Sequence, residues 1–574
     1  MIIRNLLIED HENSGTEWGF IQGLEGDVDH GWWRWALGIR QTISFSVSNK
    51  KGGCLFYELS IPDKGTSISI LANGVKCSYL QAAKNNDIKK GFFEIPALAN
   101  NLSSISLVFD VEILNPDQIK IDNSGKFPLA FAFYKLSYCE YPEFTDEEIK
   151  KMNVNARTGV VPPNLCAIPF NELYVDPWGV VYACCESMPT SNTKLFDAGV
   201  RVRNSDDLRR AWNRPQQRSI RQEMLLGRRP AACSRCYERE DKGKASIRNG
   251  CSPEELSLAL TAAAQMDDSG NLPFQPNGID IRLGNFCNLK CRMCFPYHSV
   301  NLVEDFNELH GEHYSSFKTA DWMDGKILGA IAEASSHSKW ITVAGGEPFI
   351  TPQFKTLLEE YIRRGYAEKM TLKVITNATV LREEILQLFN SFKEVYLTVS
   401  LEGYGEVNDY IRYPSKFKNI DKNLQFLHEK MHIFNIKHVA FNTSLQVHNI
   451  FKLPELFRYL SQFTNFFWFP ELSLVTEPDY LSIAILPRQA KNSVMMELKD
   501  YLDVVREQWG SGEKHSQFFD IDYINNSIQG VINYLFSEDK SSLIPEFLRV
   551  NNYLDKKRQQ RTAIKIPGIH DLVL

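Results

Sequence analysis

The chain's most reactive residues are its cysteines, and they are unevenly spread. Of twelve, Cys166, Cys184, Cys185, Cys233, Cys236, Cys251, Cys287, Cys291 and Cys294 fall within one third of the sequence, only Cys54, Cys77 and Cys139 precede them, and none follows. A 65.8 kDa chain has no need of disulfide stapling, so short C-x-x-C spacings point to metal or cluster ligation. In Cys287-Asn-Leu-Lys-Cys291-Arg-Met-Cys294 the gaps are three and then two residues. One loop of that length can present three thiolates to three irons of a cubane. A [4Fe–4S] cluster ordinarily takes four cysteines, so the fourth iron is left for a ligand from outside the protein. The competing reading is a zinc knuckle, but structural zinc sites show two paired-ligand clusters and this is a triplet.

A second set lies just upstream. Cys166, Cys184, Cys233 and Cys236 come from a hairpin and a C-x-x-C turn, and four thiolates ligate a cubane fully. Cys185 competes with Cys184 for its place, and Cys251 is an alternative ligand or a redox-active thiol. A four-cysteine zinc site fits the same spacing. The surrounding Arg201–Arg248 stretch carries 14 Lys and Arg against 6 Asp and Glu. That excess reads as counter-charge for a cluster, as recognition of an anionic substrate, or, by default, as a solvated face. With only Trp212 and Tyr237 as aromatics there, nucleic-acid binding is disfavoured.

The elements that must position these residues follow from periodicity. Residues 1–145 read as all-β, with period-two runs at Ser103–Ile113 and around Ile43, Phe45 and Val47, a further strand candidate at Phe127–Leu136, and turn signals at Asn73-Gly74 and Ser124-Gly125. A β-sandwich is the expected form. Residues 146–255 open with an acidic helix capped by Thr145. A hairpin follows, Leu173–Val175 and Val180–Tyr182 about an Asp176–Gly179 turn, and then two short helices with Ser205 as a cap, Pro215 in a first turn and Gly227 as a stop. From 256 to 475 strands and helices alternate, with strand candidates at Ile279–Leu283, Trp340–Ala344, Leu372–Thr376, Val395–Ser400, Val439–Ser444 and Phe467–Phe469. That pattern predicts an α/β fold with a parallel sheet, open or closed into a partial barrel. Residues 476–574 are mainly helical, clearest at Met496–Trp509 and Ile524–Phe536.

The three-cysteine loop directly follows the first of these α/β strands, and Gly345-Gly346-Glu347-Pro348 directly follows the second. The chain thereby resembles the radical S-adenosylmethionine (SAM) superfamily over roughly residues 275–475. The resemblance implies a partial (β/α)6 TIM-like barrel in which SAM chelates the open iron through its amine and carboxylate. One electron from the cluster then splits SAM, and a 5′-deoxyadenosyl radical abstracts hydrogen from a substrate. It further implies Gly345, Gly346 and Glu347 at the SAM amine, Met293 near the adenine, and Asn377, Ser400 and Glu402 near the ribose and neighbouring atoms, with helix capping as the alternative for Asn377 and Ser400. Cys166 to Gly179 to Cys184 resembles the opening of a SPASM or twitch segment, implying one auxiliary [4Fe–4S] cluster on Cys166, Cys184, Cys233 and Cys236. Here that segment precedes the barrel, whereas the peptide-modifying relatives carry it after.

No catalytic acid, base or hydrogen donor is assigned; Tyr404, Arg412 and Cys251 are candidates that read more readily as structural. Leu24-Glu25-Gly26, Trp33-Arg34-Trp35 and Asn73-Gly74 resemble β-sandwich modules beside bacterial glycan-assembly enzymes. This makes a sugar or cell-envelope precursor the preferred substrate, with Trp32, Trp33 or Trp35 as stacking candidates though core positions suit them better. A peptide or protein is the runner-up. The resemblance also implies an external electron donor such as flavodoxin or ferredoxin. A non-enzymatic metal-binding or redox-sensing protein is the rival from another class, and the Gly-Gly-Glu loop speaks against it. The net charge of −6 and pI near 6.1 disfavour a nucleic-acid coat. No apolar run reaches the roughly 18 residues of a membrane span, and the opening residues turn acidic before a secretory h-region forms. A cytoplasmic protein is expected.

Overall fold

The computed structural model describes the strands of residues 1–140 as backbone. It describes residues 144–566 in full apart from 160, 188–199, 242–245, 311–313, 315–321, 510–519 and 562–565, with Gln508 and Trp509 as backbone alone. The N-terminal strands, among them Arg40–Ser46, Ser104–Ile113 and Leu129–Glu140, pair antiparallel in two sheets. The side chains of Trp32, Trp33, Trp35, Cys54, Cys77 and Cys139 and the turns at Asn73-Gly74 and Ser124-Gly125 lie outside the described residues.

The remainder is an α/β fold about one nine-stranded sheet. Its strands are β1 (Glu172–Val175), β2 (Val180–Tyr182), β3 (Val200–Arg201), β4 (Gly278–Arg282), β5 (Trp340–Ala344), β6 (Thr371–Thr376), β7 (Glu394–Ser400), β8 (Ile436–Leu445) and β9 (Phe467–Leu474). The spatial order is β3-β2-β1-β4-β5-β6-β7-β8-β9. All six α/β strands expected from periodicity are present and parallel, in sequential order. Each return is made by intervening helical segments such as Pro352–Arg363 and Glu383–Phe389, as parallel pairing demands. The expected hairpin does more than stand alone: β1 pairs parallel with β4, so the cysteine-bearing segment extends the same sheet.

Along each strand the side chains alternate. Ile279, Ile281, Val343, Leu372, Val374, Leu397, Val399 and Val439 are buried beneath the helices. The other face carries a half-buried polar ladder, Asp280, Thr342, Lys373, Tyr396 and His438, aligned in register across five strands. A parallel sheet covered by helices on both faces would be apolar throughout; here one face looks onto polar space. Thr145 forms a capping box with Glu148 on the first helix, Asp146–Thr158. The cap expected at Ser205 is instead Asn204, whose Oδ1 accepts from Asp207 N at 3.0 Å, and Ser205 is the first helical residue. The expected tail helices are Arg488–Trp509 and Ile521–Ser537, and a further helix spans Ile544–Arg558. Among the described residues no helix is long and apolar enough to cross a membrane.

Candidate active site

Loops at the carboxyl ends of parallel strands are where such folds bind ligands, and the three-cysteine loop begins there, after β4. Its backbone is pinned on several sides. Lys290 N and Arg292 N donate to Tyr413 O (2.6 Å) and Ile411 O (2.9 Å). Ser299 Oγ donates to Leu289 O (2.9 Å), and Asn301 Nδ2 to Cys287 O (2.6 Å). Burial raises all three thiols, Cys294 to about 12. The nearby Cys291 thiolate raises Cys287 and Cys294 further, whereas Arg412 pulls Cys291 and Cys294 down. Three desolvated thiolates that repel one another are costly unless a cationic centre sits among them, and an iron–sulfur cluster supplies one.

The Gly-Gly-Glu loop after β5 lies against this segment. Gly345 (φ +88°) and Gly346 (φ +54°) adopt the left-handed region, and a Cβ on Gly346 would sit 2.0 Å from Phe286 O. The glycines are therefore required for backbone contact with the residue preceding Cys287, a reason additional to ligand approach. Glu347 N donates to Phe286 O at 2.9 Å. The Glu347 carboxylate is buried and accepts from Thr376 Oγ1 (2.7 Å), Phe349 N (3.1 Å) and Asn377 N (2.7 Å), while burial pushes it up to about 7.

The remaining expected residues divide. Asn377 Nδ2 donates to Asn288 Oδ1 (3.0 Å), and its own Oδ1 accepts from Thr379, so its side chain fastens the cysteine loop and caps its own turn. Glu402, fully buried, pairs with Arg412, and Arg412 Nη1 reaches Cys291 Sγ at 4.0 Å. Ser400 stands half-buried on the polar ladder opposite Asn442, and Met293 packs half-buried against the core. Tyr404 is exposed and packs on Phe417 and Tyr459.

Because β1 runs parallel to β4, the Asp176–Gly179 turn lies at the same end of the sheet as the cysteine loop, and Tyr297 Oη, three residues past Cys294, donates to Asp176. Strand β2 runs back. Cys184 and Cys185 after it, like Cys166 ahead of β1, therefore sit toward the opposite end. There Cys166 lies beside Cys251, with Cys184 and Cys233 near it, and Cys184 is near Cys236, while Cys251 Sγ donates to Ile247 O at 3.5 Å. Cys185 instead faces Asp280, Glu172 and Arg282 of the polar ladder, and burial pushes it up to about 12. Part of the basic stretch is paired locally: Arg239 and Arg235 reach Glu186, Arg229 reaches Asp241, and Arg248 pairs with Glu240 while donating to Leu165 O beside Cys166. Among the described residues no group of three or more His, Cys, Asp or Glu is gathered tightly enough for one metal ion. Zinc bonded to sulfur at about 2.3 Å needs such a group, whereas a cubane takes one thiolate per iron.

Residues 281–444 match the family model of the radical SAM superfamily, and residues 166–237 match that of the SPASM iron–sulfur cluster-binding domain. The chain thus carries a radical SAM domain, with a SPASM-type segment ahead of it. Its cofactors are those of that class: a [4Fe–4S] cluster, SAM, and auxiliary iron–sulfur. No curated protein matches the chain. Among solved structures it is similar to anSMEcpe with bound AdoMet (17% identity, TM-score 0.31, 42% of this chain and 64% of that one). It is similar to Streptococcus suis SuiB bound to precursor peptide SuiA (14%, TM-score 0.30, 47% and 59%). A carbohydrate-binding module from Cellvibrio mixtus lichenase 5A in complex with cellotriose is also similar (10%, TM-score 0.16, 24% and 98%). The chain spans less than two thirds of the length of the first two.

Proposed function

We propose that the protein cleaves SAM at a [4Fe–4S] cluster held by Cys287, Cys291 and Cys294 and modifies a peptide or protein by hydrogen abstraction. When bound, the cluster supplies one electron to SAM, which yields the hydrogen-abstracting 5′-deoxyadenosyl group. Gly345 and Gly346 hold the loop against Phe286. The Glu347 oxygen that accepts only from Asn377 N keeps a lone pair for the SAM ammonium. Met293 and Ser400 face the nucleoside. Asn377 and Glu402 act through Asn288 and Arg412, and Arg412 donates toward Cys291 sulfur, which tunes the cluster's electron affinity. Cys166, Cys184, Cys233 and Cys236 hold an auxiliary [4Fe–4S] cluster, with Cys251 as a fifth thiol beside Cys166.

In this reading residues 1–145 form a β-sandwich, 146–255 a twitch-type segment, 256–475 a partial (β/α)6 barrel and 476–574 a helical extension. The polar ladder is the barrel's interior, between the two thiol sets. The 4.0 Å pair Arg235–Glu477 links the twitch segment to the chain just past β9. The SPASM match favours a peptide over a sugar, whose support was confined to the N-terminal strands. An external flavodoxin or ferredoxin supplies electrons in the cytoplasm.

The observation that carries the proposal is the three-thiol loop at the end of β4, with Cys291 buried and Cys287 and Cys294 half-buried, laid against the Gly-Gly-Glu loop. Anaerobically reconstituted protein is expected to hold about eight irons, four per cubane, and to release 5′-deoxyadenosine from SAM with dithionite. The triple variant Cys287→Ala, Cys291→Ala, Cys294→Ala should keep about four irons and release none. Full product release by that variant would refute the reading. Co-expression with neighbouring short reading frames, followed by mass spectrometry, tests the substrate class: unaltered peptides alongside a modified sugar nucleotide would reverse it.

A further inference from the structure

We infer that the C-terminal helix, Ile544–Arg558, belongs to the SAM-cluster site, with Arg292 as a positioning residue that clamps the cysteine loop to it. This rests on the cluster reading of Cys287, Cys291 and Cys294. Arg292 lies between the second and third of these cysteines, yet its side chain is only 1% exposed. Its Nε donates to Tyr410 O (3.1 Å), Nη1 to Asn551 Oδ1 (2.7 Å) and Nη2 to Gln560 Oε1 (3.1 Å), and it forms an ion pair with Asp555. The guanidinium carbon stands 3.8 Å from the centre of the Tyr410 ring.

A cation buried this deeply is tolerated only when its donors are satisfied and its charge is paired, and partners some 260 residues downstream do both. Those partners are themselves held. Asn551 Nδ2 donates to Phe547 O (2.7 Å), Asn551 Oδ1 also meets His448 Nε2 (2.9 Å), and Tyr410 Oη donates to Asp555 Oδ2 (3.2 Å). With Arg292 N also fixed on Ile411 O, both ends of the residue are immobilised. A shift of Arg292 must therefore move Cys291 and Cys294 relative to each other. The residues of this network, Tyr410, His448, Asn551, Asp555 and Gln560, lie outside the 146–255 segment that carries Cys166, Cys184, Cys233 and Cys236, so its loss should spare the auxiliary site.

The test uses full-length, anaerobically reconstituted protein. It reads iron content and the change that SAM produces in the electron paramagnetic resonance of the reduced cluster. Arg292→Lys, which keeps the charge but not the fork, and Asp555→Asn are each expected to weaken the SAM response about 10–100-fold, as loss of an outer-shell support does, with auxiliary iron retained. Gln560→Ala, at the more open end of the clamp, should shift it less in the same direction. Arg549→Ala, which removes an exposed pair with Glu546 on the same helix, should leave it unchanged. If Arg292→Lys and Asp555→Asn respond as the parent does, or if Gln560→Ala is silent when the other two fail to fold, the proposal is overturned. A parent protein lacking any SAM-responsive cluster would instead overturn the reading of the cysteine loop.

Discussion

Glu172, at the start of β1, shows how a single side chain registers the polar ladder. It accepts from Trp340 Nε1 at 2.6 Å, and burial, followed by the neighbouring Asp280 carboxylate, pushes it from 4.5 up to about 7. Its folded value lies above its unfolded one, so between those values the folded protein holds the extra proton. Stability therefore falls as pH rises through that window, by at most about 1.4 kcal/mol per pH unit from this group. Above about 7 the cost is fully present. Glu172→Gln should thus be more stable than the parent near pH 8 and little different near pH 4. Urea midpoints at the two pH values measure it, and a gain of equal size at both would show that Glu172 is not the cause.

At the scale of elements, the hairpin β1–β2 shows a turn that sets where a cysteine falls. Asp176 Oδ1 accepts from Trp178 N and Val180 N, both at 2.8 Å, and Trp322 Nε1 donates to Pro177 O at 2.8 Å. Gly179 closes the turn at φ +75°, where an added Cβ would lie 2.5 Å from the Trp322 ring. The left-handed backbone alone costs a non-glycine residue about 1–2 kcal/mol, and the ring contact adds to it. Gly179→Ala should displace β2 and with it Cys184, so that auxiliary iron falls while the SAM-responsive signal persists. Undiminished auxiliary iron in that variant would mean that the turn does not place the ligand. The turn was legible from Asp176-Pro-Trp-Gly179, because proline and glycine there have few other uses. The attachment of β1 to β4 was not, since nothing local in a four-residue strand names its partner across a hundred residues.

At the scale of the molecule, one apolar core runs from Met152 to Ile566, and buried ion pairs tie its distant parts. Asp305, on the helix after the cysteine loop, takes Arg558 at 2.9 Å, Lys557 at 3.3 Å and Lys290 at 3.5 Å. Lys557 and Arg558, in a run of three basic residues, are thus bound inward. Asp305→Asn leaves Arg558 buried without its anion, and breaking such a pair costs about 3–5 kcal/mol. Thermal unfolding should show that loss as a lower midpoint of one cooperative transition across the α/β part. A separate early transition of the tail, with the main midpoint unmoved, would contradict the shared core.

The sequence by itself determined the chemistry and the kind of scaffold. The three- and two-residue gaps of the cysteine loop, the Gly-Gly-Glu after the next strand and the alternation of strands with helices are all local, and spacing along the chain preserves them. Tertiary structure alone decided that Gly346 is needed against Phe286, that Asn377 and Glu402 meet Asn288 and Arg412, that Cys185 turns to the ladder while Cys184 turns to the other thiols, and that the last helix grips Arg292. Each of these depends on which surfaces meet once the chain has closed on itself. Side chains hundreds of residues apart carry no periodicity or composition that announces their meeting.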